Sequence, residues 1–154
     1  GREVWGAAGF GVHVSQVGER TGDGAAVGAL ALIFGPANRE KLAACGVHFR
    51  DAPNAMIPAA LAYIGENPNS HDPDVIAKTE AVLSAVQPYV QKYHSSEYIN
   101  GLANGAICVA FGWSGDVLQA RDRADEAGNG IEIAYNAPSE GALMWFDQDR
   151  KSVV

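Results

Sequence analysis

Basic residues and cysteine are both scarce in this chain, and no apolar run approaches the roughly 18 residues of a membrane-spanning helix. Lys and Arg number 11 against 18 Asp and Glu among 154 residues, a formal net charge of −7. Such a field repels nucleic acid and anionic lipid and draws cations at long range, so no nucleic-acid partner is expected. Two cysteines, Cys45 and Cys108, are too few for a cysteine-rich metal framework. Cys45-Gly-Val-His48 has ligand-like spacing, but His13, His71 and His94 are scattered along the chain, so neither a metal nor a cofactor is expected. An even pair fits either two buried thiols or one disulfide, and both readings stand at this level. A hydrophobic content of 47% excludes a disordered composition and suffices for one core of ordinary domain size.

Against that background stand two Trp–Asp couples, Trp113-Ser-Gly-Asp116 and Trp145-Phe-Asp147, each following a strand-like apolar run. An indole face attracts an organic cation through its quadrupole by roughly 0.5–2 kcal/mol. A carboxylate adds a charge-assisted hydrogen bond worth about 1.5–3 kcal/mol. Two such couples suit an amine gripped along its methylenes and at its nitrogens. The competing reading is two core tryptophans beside a helix cap and a turn.

Short apolar runs alternate with amphipathic stretches, which predicts βα units on a mixed, mostly parallel sheet flanked by helices, an α/β fold. Strands are expected at Phe10–Val14, Val47–Phe49, Ile107–Phe111, Ile131–Tyr135 and Ala142–Phe146. Ile107–Phe111 lacks alternation, as a central strand does. Val27–Phe34 is ambiguous between strand and helix. Helices are expected at Asn38–Ala44, at Ala55–Ile64 behind an Asn54 cap, and from Asp72-Pro73 to Val86, with Ile76, Thr79, Val82, Leu83 and Val86 on one face. Two more follow, Glu97–Ala103 behind a Ser96 cap and Asp116–Ala127. Residue 1 is Gly, and one codon choice for Asp149-Arg150-Lys151-Ser152-Val153-Val154 spells the start of a common sequencing adapter. Residues 149–154 are therefore expected to be a non-native tail on a truncated gene.

Other motifs are weaker. Ala110-Phe-Gly-Trp-Ser-Gly-Asp116 approaches an esterase nucleophile elbow around Ser114, with His94 and Asp51 as conceivable partners, but Asp116 stands where that strained turn needs glycine. Gly9-Phe-Gly11 begins a dinucleotide fingerprint that Val14 breaks. Asp116 at a strand-to-helix junction could be a simple cap worth about 1 kcal/mol. Tyr93 and Tyr98 read as packing residues.

Several ordered blocks carry a resemblance: Trp5-Gly…Gly9-Phe-Gly11, Cys45-Gly-Val, Asp51-Ala-Pro, Pro58-Ala-Ala-Leu-Ala-Tyr-Ile-Gly65 and Asn67-Pro-Asn-Ser70. They continue with Tyr93-His-Ser-Ser-Glu-Tyr-Ile-Asn-Gly-Leu-Ala-Asn-Gly105, Gly112-Trp-Ser-Gly-Asp116 and Glu140-Gly-Ala-Leu-Met-Trp-Phe-Asp147. Over residues 3–148 the chain resembles the spermidine/putrescine-binding proteins of bacterial ABC transporters. The resemblance implies the second lobe, residues 1–148, of a two-lobed type II periplasmic binding protein that closes on its ligand. The first lobe and an export signal would lie outside this chain. It implies a polyamine ligand, a membrane permease as partner, a periplasmic location, a monomer when intact, and binding rather than catalysis. Carried over by position, Trp113, Asp116, Trp145 and Asp147 contact the ligand, and Cys45 and Cys108 match a pair that is disulfide-bonded in some members. One departure concerns specificity: Ala55 stands where the family often has a ligand-binding glutamate, which shifts amine preference or leaves Asn54 or Asp51 to compensate. The alternatives are an esterase-like fragment using Ser114 and a binding module for another small amine.

Overall fold

Side chains acting within a few residues set several element boundaries. The computed structural model describes residues 7–15 and 30–146. Helix α1 spans Ala31–Phe34, which resolves the end of the ambiguous Val27–Phe34 run as helical; positions 27–29 lie outside the described residues. A 3₁₀ turn at Pro36–Asn38 leads into α2, Arg39–Cys45, which Gly46 closes at φ 90°. Strand β2, Val47–Phe49, follows at once. Helix α3 runs Pro53–Tyr63, starting two residues before the expected Ala55 because Pro53 is already shaped for the first helical turn. No side chain caps α3, so Asn54 is not its cap.

Helix α4 occupies Pro73–Val86, and Asp72 Oδ1 accepts from the backbone N–H groups of Asp74 (2.9 Å) and Val75 (3.3 Å). Those bonds satisfy two donors that a helix start leaves open. Thr79 and Val86 are the buried members of the expected apolar face, while Ile76 is 38% exposed. A short strand β3, Lys92–Tyr93, precedes α5, Glu97–Ala103. The cap of α5 is His94 rather than Ser96: its Nδ1 accepts from the N–H groups of Ser96 and Glu97, both at 3.1 Å. Strand β4 is Val109–Trp113, helix α6 Ser114–Ala127, strand β5 Ile133–Asn136 and strand β6 Met144–Phe146. Strand β1, Ala7–Ser15, precedes all of these.

The sheet order is β3-β2-β4-β1-β5, with β6 also on β1. Strand β2 runs parallel to β3 and β4, whereas β1 is antiparallel to β4, β5 and β6. Five strands therefore share one direction and β1 opposes them, which is the mixed, mostly parallel α/β sheet expected from the sequence. Strand β4 is central, and it ends two residues later than expected because its pairing with β1 continues to Phe10↔Trp113.

Alternation along β4 divides the core. Val109 and Phe111 pack with Phe34, Phe49 and Leu42 on one face, and Trp113 lies partly against them. Ala110 faces the other cluster, built on Tyr98, Leu102 and Val117. Gly112 lies over Tyr98: a Cβ there would stand 2.5 Å from the ring carbon Cε2, and Tyr98 is fully buried. Gly112→Ala is expected to cost about 1–3 kcal/mol through overpacking, a fall in Tm of roughly 2–12 °C that differential scanning calorimetry will read. An unchanged Tm would mean that the Tyr98 ring moves freely. Cys45, at the end of α2, is disulfide-bonded to Cys108, just before β4, with a Cα–Cα distance of 5.4 Å. Cys45 is thereby removed as a metal ligand.

Candidate functional site

Parallel register brings the site together. Val47 lies opposite Val109 and His48 opposite Ala110, so the residues that leave β2 sit beside those that end β4. Arg50 and Asp51 follow β2, and Trp113 is the last residue of β4. In α/β sheets this carboxyl edge is where ligands bind. The Arg50 guanidinium carbon lies 3.5 Å from the centroid of the Trp113 ring. Trp113 is half-buried and Arg50 only 8% exposed.

Asp116 sits in the first turn of α6 but makes no capping bond. Its Oδ2 instead accepts from the Tyr98 hydroxyl at 2.5 Å, and the same hydroxyl oxygen accepts the Trp113 backbone N–H at 3.1 Å. Tyr98 thus ties the strand that carries the indole to the carboxylate beside it. Burial, reinforced by the bond to Asp116, holds the Tyr98 phenol far above its ordinary value, so it stays a donor. Burial also lowers the Arg50 guanidinium, and the fields of Tyr98 and Asp116 oppose that shift. Arginine remains charged, so indole, guanidinium and carboxylate form one electrostatic unit.

The second couple is reached through β1. Trp145 pairs with Ala8 and Trp113 with Phe10, so the two backbone positions pair with the same strand two residues apart, roughly 7 Å along its length. Asp147 lies outside the described residues, as do Trp5 and the 149–154 tail. Asp51 is exposed at the entry to α3. Ala55, where the resemblance implies a carboxylate in many relatives, is 1% exposed and borders a cavity of about 130 Å³ with Phe111, Pro138 and Glu140.

The esterase arrangement around Ser114 is not assembled. His94 uses Nδ1 on the α5 amides and holds Nε2 3.5 Å from Glu97, while Ser114 is hydrogen-bonded to Tyr135. The residues that sequence reading missed are Arg50 and Tyr98. Arg50 carries no local signal, because its partner lies 63 positions away and meets it only through the β2–β4 register. Tyr98 reads as packing; the bare Gly112 beneath it was the available hint.

The fold is that of periplasmic substrate-binding proteins. Two solved structures show it: the spermidine/putrescine ABC transporter substrate-binding protein PotD from Streptococcus pneumoniae (TM-score 0.73, 18% identity, 92% of this chain and 39% of that one) and the Treponema pallidum lipoprotein TpPotD (TM-score 0.69, 19% identity, 92% and 42%). In sequence the chain is a homologue of putrescine-binding periplasmic proteins. It is 45% identical over 144 residues to SpuD of Pseudomonas aeruginosa and 44% identical over 145 residues to PotF of Escherichia coli, covering 94% of this chain in each case. It spans about two fifths of their length, 39% of each. No protein-family profile matches the chain.

Proposed function

We propose that this chain is the second lobe of a two-lobed periplasmic solute-binding protein that captures putrescine-like organic cations and passes them to an ABC permease. The observation that carries this reading is the Trp113–Asp116 pair at the sheet's carboxyl edge, in a chain 44–45% identical to proteins named for putrescine binding. Asp116 pairs with one ammonium group, and the Trp113 indole takes the methylenes or the cation. Trp145 and Asp147 form the second couple, and the Ala8↔Trp145 register supports the position of Trp145 beside β1. Asp51 lines the entrance from the β2 side. The first lobe covers the ligand on closure and completes its desolvation, so the lobe alone binds weakly. The working step is capture and release, with no bond made or broken, and the intact protein works as a monomer.

NMR-monitored titration with putrescine, spermidine and a monoamine suits such weak binding. The expected result is a saturable shift of the Trp113 indole N–H, with Trp113→Ala weakening putrescine binding by roughly 2- to 30-fold. If none of the three amines shifts any resonance, the proposal fails. Binding that survives Trp113→Ala unchanged would remove the indole from the site.

A further inference from the structure

One face of the Trp113 indole is already covered by a cation of the chain itself. Arg50 stacks on Trp113 at 3.5 Å and lies within the field of Asp116, the two groups assigned to the amine. We propose that Arg50 is a resident cation of the half-site, a specificity-determining residue that an incoming amine must displace from Trp113. This inference rests on the amine-binding reading above.

Three observations lead to it. Arg50 is almost wholly buried, so its guanidinium is held against the indole rather than extended into water. The stacking follows from the backbone, because β2 and β4 are parallel neighbours whose ends lie level. Tyr98 holds Asp116 at the same edge, so the guanidinium meets the two features an ammonium group needs, π density and negative charge. An attraction that serves a ligand cation serves Arg50 equally, and only one cation fits a given ring face. A ligand therefore gains only the difference between its own interaction and that of the side chain it expels. Weakly hydrated guanidinium is a strong competitor for that face, and a compact ammonium ligand wins it only with help from Asp116.

The test compares the wild-type protein with Arg50→Gln and Arg50→Lys by putrescine titration and by the side-chain resonances of Trp113 and Arg50. Arg50→Gln is expected to tighten putrescine binding by roughly 2- to 30-fold, the span of one cation–π contact. Arg50→Lys keeps the charge and should stay near the wild-type affinity. Without any amine, Arg50→Gln should shift the Trp113 indole N–H; in the wild type, putrescine should move the Arg50 Nε–H resonance as the side chain leaves the ring. Unchanged or weaker binding in Arg50→Gln, with the wild type still binding, overturns the competitor role and leaves the function intact; weaker binding would make Arg50 a ligand anchor. Absence of binding in all three proteins overturns both readings.

Discussion

Asp116→Asn is expected to weaken putrescine binding by roughly 10- to 150-fold, the cost of about 1.5–3 kcal/mol when a charge-assisted hydrogen bond loses its charge. Asparagine is the informative replacement because it keeps the shape and one carbonyl oxygen. Tyr98 still has an acceptor for its hydroxyl, and the Trp113 N–H still has the phenol oxygen. Fold stability should fall by under about 1 kcal/mol, within the range of ordinary half-buried substitutions. Calorimetric unfolding and amine titration on the same samples separate the two effects. A Tm drop with no loss of affinity would assign Asp116 to holding α6 against Tyr98. The reverse outcome, lost affinity at constant Tm, is the expected one.

The largest effect on stability should come from the Cys45–Cys108 bond. Its cysteines are 63 positions apart, and closing a loop of that length removes about 4 kcal/mol of chain entropy from the unfolded state. For a chain of this size each kcal/mol moves Tm by roughly 2–4 °C, so reduction or a Cys45→Ser/Cys108→Ser double variant should lower Tm by roughly 8–16 °C. The bond lies where β2 and β4 begin, beside the Val47↔Val109 pair, whereas Arg50 and Trp113 stand where those strands end. Below its lowered Tm, the reduced protein should therefore keep its amine affinity. A shift under about 2 °C would show that the reduced, unfolded chain retains its own compactness.

Much of the molecule was legible locally. The Asp72 cap and Pro73 start α4 where the spacing places it, and Glu97–Ala103 and Val47–Phe49 form at their expected bounds. The two helices start at side chain–backbone contacts within four residues, and the strand is a short, mostly apolar run closed off by Gly46 and Arg50; a sequence displays both directly. The errors share a cause. Ser96 reads as a cap by residue type, but the β2–β3 pairing places His94 to take the amides first. Strand β3 has only two residues and no periodicity, so pairing alone makes it a strand.

The site divides along the same line. The sequence by itself determined the inventory: an indole and a carboxylate three residues apart after a buried run, an acidic surface, and one pair of cysteines. Only the tertiary structure decided which atoms meet. It tied Tyr98 to Asp116, drew Arg50 across the face of Trp113, and paired both Trp113 and Trp145 with β1. Those contacts join residues 18 or more positions apart, and the pairing of strands and the packing of α5 against α6 decide them.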